Sequence, residues 1–151
     1  MTDHTVRAYD RELETLGQRI AEMGGIAERM LSDAMDALAK LDVDLAKKTI
    51  AVDPRLDALQ REVEDNAILT IARRQPMAVD LRECVAAIRV SGDLERVGDL
   101  AKNIAKRAAK IAGEARMPRG IVGLKSMHEL AAMQLKDVLD AYAQHDIERA
   151  R

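Results

Sequence analysis

From Leu13 onward apolar side chains return every three or four residues, at Leu16, Ile20, Met23, Ala27, Met30, Ala34, Leu38 and Leu41. That spacing lines one face of a long helix in heptad fashion. A helix with so extended a stripe is stabilised by burying it, not by propensity alone. What buries it is restricted as well. Tyr9 and Tyr142 are the only aromatic residues in the chain, so a core has to be built from Leu, Ile, Val, Met and Ala, as in helical bundles. At 151 residues, 48% of them hydrophobic, the chain is long enough for one domain with its own core, or for one domain and a piece of another.

Asp42 and Asp44 offer a break and helix N-caps after the first stripe, and a second helical pattern runs through Leu45, Leu56, Leu59, Val63, Ala67 and Ile71. Asp53-Pro54 reads as an N-cap followed by Pro at the first helical position, so this second helix is expected to be kinked or in two pieces. Pro76 marks the next boundary, and a third helix is expected from near Asp80 to about Gly113. The stretch GEARMPRG, Gly113 to Gly120, ends it. A fourth helix is expected from about Val122 to Ala143. The expected fold is therefore all-α: an up-down-up three-helix bundle over 1–113, a linker over 114–121, and a separate helix within 122–151.

The fourth helix resembles the first. Laying Met127 over Met23 fixes an offset of 104 residues and, without gaps, pairs Leu135 with Leu31, Asp137 with Asp33, Asp140 with Asp36, Ala141 with Ala37, Asp146 with Asp42 and Ala150 with Ala46. An ungapped match that keeps heptad phase reads as an internal repeat. On this reading the fourth helix opens a second bundle whose other helices are not in the sequence. Its apolar side, with Leu124, Met127, Ala131, Leu135, Val138 and Tyr142, is then expected to seek the first bundle or another chain.

The third helix carries DLERVGDLAKN, in which Glu95 and Asp99 stand one turn apart with Asn103 a turn further on. Like charges at i and i+4 repel. About 100° per residue gathers Val90, Leu94, Val97, Ala101, Ile104 and Ala108 on one face and puts the acidic strip roughly opposite, as a surface ledge. One reading is a solvated face partly neutralised by Arg96, Lys102 and Lys106. The other is a metal site. Oxygen donors recur at successive turns, Gly92 and Gly98 weaken the helix with no turn to serve, and the neighbouring helix offers Asp57, Gln60 and Glu64 at matching steps. Carboxylates from facing helices hold hard or borderline cations and relieve the repulsion.

Other chemistries find less support. The Glu-x-x-His pair of di-iron carboxylate enzymes is missing, and His4, His128 and His145 lie away from the strip and read as surface or helix-end residues. Cys84 reads as a small buried residue. A net charge of −2 and the shortage of aromatics argue against nucleic acid. A single cysteine, the lack of a leader-like opening and the lack of a long apolar run point to the cytoplasm. The end of the third helix is basic, with Lys102, Lys106, Arg107 and Lys110 followed by Arg116, Arg119 and Lys125. Two uses fit: cations complementing the helix dipole, and a docking patch for an acidic partner or an anionic membrane.

The motif RRQPMAVDLR followed by SGDLERVGDLAKNIA, together with AEMGGIAERMLSDAMDALAKLDVDLAKKTI upstream, resembles the PhoU family of phosphate-signalling regulators over nearly the whole chain. The resemblance implies a protein of two three-helix bundles that binds iron, zinc or another metal, as a multinuclear cluster, through surface E(D)xxxD motifs. It implies a non-enzymatic cytoplasmic adaptor that acts on the phosphate ABC transporter, through its ATPase subunit, and on the phosphate-sensing histidine kinase. The family motif falls on Glu95 and Asp99, with Asn103 next. Two features depart from the family pattern: Gln60 stands where ExxxD would begin on the second helix, ahead of Glu64, and the chain ends at Arg151, within the second repeat. Three readings result: a metal-binding adaptor, a helical module that homodimerises through its fourth helix, and a surface metallohydrolase of phosphate esters.

Overall fold

The computed structural model describes residues 2–114, 119–146 and 148, with side chains from Asp10 onward. The described residues form four helices and no strand: α1, Thr2–Lys40; α2, Val43–Arg74; α3, Val79–Gly113; and α4, Ile121–Gln144. The first three are packed pairwise, and α4 lies along α1.

Helix α1 buries the stripe its spacing announced, with Leu16, Ile20, Met23, Ala27, Met30, Ala34 and Leu38 all in the core. It ends at Leu41, which takes a left-handed φ of 55°, and the Asp42 N–H turns back to the Ala37 carbonyl at 2.9 Å. Asp42 then caps α2, its carboxylate accepting from the Leu45 N–H at 2.9 Å. Expectation and structure part at Asp53-Pro54, because α2 runs unbroken from Val43 to Arg74 with Pro54 inside it. Pro54 has no N–H to give the Ile50 carbonyl one turn back, yet Thr49, Asp53, Leu56 and Leu59 form one buried line through the site. Packing against two neighbours holds a helix that local propensity would interrupt.

Helix α3 differs from its expected orientation. Its buried line is Cys84, Ala87, Ser91, Leu94, Gly98, Ala101, Ala105 and Ala108, a run of three- and four-residue steps made almost entirely of small side chains. Val90, Val97 and Ile104 pack at the edges of the core instead. The reason is geometric: α3 touches both α1 and α2, and close approach to two helices at once favours its narrowest face. A hydroxyl is no obstacle in that seam, since Ser91 Oγ donates to the Ile88 carbonyl at 2.8 Å. Leu81 and Val85 are exposed.

Helix α4 packs through Ile121, Leu135, Leu139 and Tyr142 against the core, with Leu139 lying over Gly24 of α1. Val122, Leu124, Met127, Leu130, Met133 and Val138 remain exposed. The end of α4 repeats the end of α1: His145 takes a left-handed φ of 53°, and the Asp146 N–H returns to the Ala141 carbonyl at 2.9 Å. These positions fall on Leu41, Asp42 and Ala37 at the same offset of 104 residues.

Candidate functional site: an acidic groove between two helices

Rotating the α3 seam onto its small residues moves the acidic strip. Glu95 and Asp99 are half-buried at the α2 edge of α3, not on a ledge facing away from the core. Gly98, next to Asp99 and itself part of the seam, is buried. A Cβ there would overlap Leu56 Cδ2 of α2 and come within 3.6 Å of Met30 Sδ. Its role is close approach of α3 to α2.

The same choice of face decides how the strip continues past Asp99. Asn103 is exposed, whereas Lys102 is half-buried and extends the strip. Lys102 Nζ donates to Asp53 Oδ2 of α2 at 2.7 Å and also to Asp99 Oδ1. The Lys102 side chain retains 20% exposure and the Asp53 side chain 12%, so this is a largely desolvated pair bridging two helices. The two carboxylates hold the Lys102 ammonium well above the ordinary lysine range. Asp99 is held low, chiefly by the hydrogen bond from Lys102. Glu95 is pushed up, first by burial and then by Asp99, Asp57 and Asp53. Glu95 thus feels three other carboxylates, and Lys102 is bonded to two of those, Asp53 and Asp99.

Of the residues expected from spacing to hold a metal, Glu95 lies near enough to Asp99 and Asp57 to feel their charge. Asn103 is exposed, and Gln60 and Glu64 are engaged with each other, the Gln60 amide donating to Glu64 Oε1 at 3.1 Å. Gln60 Nε2 lies opposite Gly92, 3.9 Å from where a Cβ would sit. Asp53, which reads in the sequence as a cap, is a groove residue. Its signal is its three- and four-residue spacing from Asp57, Gln60 and Glu64, hidden by the Pro next to it. The donor chemistry suits a hard cation, but among the described residues no three His, Cys, Asp or Glu side chains are gathered to hold one.

Lys106, Arg107 and Lys110 stand exposed at the end of α3, with Arg119 and Lys125 also exposed beyond it. Lys102, expected among them, is withdrawn by its ion pairs, and Arg116 lies outside the described residues. His145 is exposed at the end of α4, with Nδ1 3.9 Å from Glu83. His128, expected at the surface, is half-buried, and the His4 side chain lies outside those described. Cys84 is buried, which pushes its thiol up. A cleft of about 590 Å³ between α1, α3 and α4, lined by Leu13, Leu16, Val79, Arg82 and Tyr142 among others, shares no residue with the groove. Among the described residues no helix is long and apolar enough to cross a membrane.

Residues 20–108, spanning most of the three-helix bundle and the whole groove, match the PhoU domain. The chain belongs to the PhoU family. It is 51% identical over 148 residues to the phosphate-specific transport system accessory protein PhoU homolog of Rhizobium meliloti, covering 97% of this chain and 62% of that protein. It is 34% identical over 150 residues to the phosphate-specific transport system accessory protein PhoU of Escherichia coli, covering 99% of this chain and 62% of the relative. The crystal structure of PhoU from Pseudomonas aeruginosa superposes with a TM-score of 0.91 at 32% identity, covering 94% of this chain and 68% of that one. This PhoU-family chain therefore spans a little under two thirds of the length of the first two relatives, and its all-α bundle is the fold of the solved PhoU structure.

Proposed function

We propose that this PhoU-family chain is a non-enzymatic regulatory adaptor of phosphate transport. It acts in the cytoplasm on the ATPase subunit of the phosphate ABC transporter and on the phosphate-sensing histidine kinase, and keeps starvation signalling off when phosphate is plentiful. The observation that carries the reading is identity of up to 51%, over nearly the whole chain, to relatives named as accessory proteins of phosphate-specific transport. An adaptor of this kind acts by differential binding: it shifts its partner between signalling states only by the difference in its affinity for them. The exposed Lys106, Arg107 and Lys110 offer a basic surface for an acidic partner face or the adjoining anionic membrane. A metal at Glu95, Asp99 and Asp57 enters this proposal only as a ligand that contends with Lys102.

The finer architecture belongs to the same proposal. Helix α4 is read as the first helix of a second repeat. The shared closure at Leu41 and His145, both left-handed and both next to a backbone bond to a buried alanine carbonyl, supports it. So does the apolar side of α4 left exposed. Deleting the gene is expected to raise phosphate-starvation transcription in phosphate-rich medium, read with a reporter, and to be reversed by the gene in trans. Unchanged transcription would sink the adaptor reading.

A second reading, a helical module that pairs with another copy through α4, is favoured by the six exposed apolar side chains of that helix. Light scattering over a range of concentrations decides it, and a monomer throughout would reject it.

A further inference from the structure

The motif RRQPMAVDLR takes no part in the acidic groove, yet it closes the hairpin of α2 and α3 with two non-glycine residues in left-handed backbone. Gln75 caps α2 at φ 49°, its N–H returning to the Ile71 carbonyl. Ala78 stands at φ 50° and ψ −108° with no side-chain cap for α3, a strained conformation for a residue with a Cβ. Strain of this kind persists where the surroundings hold it, and it gathers at ligand clamps and switch regions. What the turn holds out is Met77, 81% exposed. An apolar row leads from it along the hairpin. Gln60 Nε2 sits across from Gly92. Two turns from that contact toward the connection, α2 brings Ile68 and α3 brings Val85, with Leu81 one turn further on. Ile68 is 56% exposed, Leu81 38% and Val85 37%.

Charge frames the row. Arg82 and Arg89 stand exposed two turns apart on α3, and Arg73 is exposed at the end of α2. The acids nearby are less available: Glu12 is held by Arg74, Glu83 faces His145 and Asp80 is half-buried, which leaves Asp65 exposed. We propose that this end of the hairpin is a docking surface for an acidic amphipathic helix of a partner protein. Its apolar side chains, at three- and four-residue spacing, meet Ile68, Met77, Leu81 and Val85, and its carboxylates meet Arg82 and Arg89. A row lying between two helices accepts such a ridge. Leu81 and Val85 are set partly between the helices, so a flat bilayer reaches Met77 and not them. The arginine forks bind carboxylates through paired bonds and fix the register, while the apolar anchors supply affinity. The surface is distinct from Lys106, Arg107 and Lys110, at the opposite end of α3. The inference rests on the adaptor reading only for the identity of the partner, the transporter or the kinase.

The test is biolayer interferometry of the immobilised full chain against the phosphate transporter and the phosphate-sensing kinase of the same organism, each in nanodiscs, with empty phosphatidylglycerol nanodiscs as the lipid probe. Wild type is expected to bind at least one of the two proteins more tightly than it binds empty discs. Val85→Glu and, separately, Arg82→Glu/Arg89→Glu are each expected to weaken that binding about tenfold or more, with helicity and melting unchanged. If Val85→Glu does not fold, Met77→Glu changes the most exposed side chain of the row and is expected to weaken binding likewise. Unchanged binding in the folded variants would overturn the proposal. So would a loss that empty discs reproduce in full, which would assign the row to lipid. A wild type that binds neither protein overturns it as well, and the deletion phenotype then decides the adaptor reading on its own.

Discussion

Gly92 and Gly98 are the same residue on the same helix and have opposite reasons for being there. At Gly98 a methyl would collide with Leu56, a fully buried side chain that would have to shift within the core. Gly98→Ala is therefore expected to cost about 1–3 kcal/mol of overpacking, more than the gain of roughly 1 kcal/mol in helix propensity. At Gly92 a methyl meets nothing closer than Gln60 Nε2 at 3.9 Å, an ordinary contact. Gly92→Ala is expected to stabilise by up to about 1 kcal/mol. Urea unfolding of both variants checks the pair, and a destabilised Gly92→Ala would mean that the two helices are closer there than the structure has them. In the sequence the glycines look alike, because what separates them is a side chain of α2.

At the scale of elements, ion pairs between helices set how stability responds to pH. Arg74 near the end of α2 holds Glu12 of α1 through both carboxylate oxygens, at 2.9 and 3.2 Å, and keeps the Glu12 carboxyl below its usual range. The folded state thus binds that proton less well than the unfolded chain. The pair's contribution is complete above the unfolded value of about 4.3 and is lost as pH falls through the lower folded value. Glu12→Gln is expected to cost up to about 1 kcal/mol at pH 7, since both partners are partly exposed. The difference from wild type should close in acid, and unfolding curves between neutral pH and pH 3 check it. A constant difference across that range would show that Glu12 acts through packing, not charge. The helix boundaries themselves are legible in the sequence: Asp42, Pro76 and the glycines near 113–120 mark them because caps and breakers act locally. The continuity of α2 through Pro54 is not, because it depends on what α1 and α3 press against.

For the whole molecule, the unusual feature is a fourth helix seated on α1 by one edge. Met127 is 67% exposed, whereas Met23 at the equivalent position of α1 is fully buried. A helix apolar on more than one side is normally buried on more than one side. Met127→Lys/Val138→Lys is accordingly expected to abolish concentration-dependent association in light scattering while leaving helicity and the melting of the three-helix bundle unchanged. Association that persists in the variant would place the contact elsewhere.

The sequence by itself determined the all-helical class, the breaks between successive helices, the match between α1 and α4, and the residues of the family motif. Each of these is written in spacing, caps or order along one chain. Only the tertiary structure decided which face of α3 turns inward, since a helix wedged between two others buries its smallest residues and not its most hydrophobic ones. That choice of face set the acidic strip against α2, replaced Asn103 by Lys102 as its continuation, and brought in Asp53 from across the groove. The charge balance of the groove is a property of two helices in contact, and neither helix carries it alone.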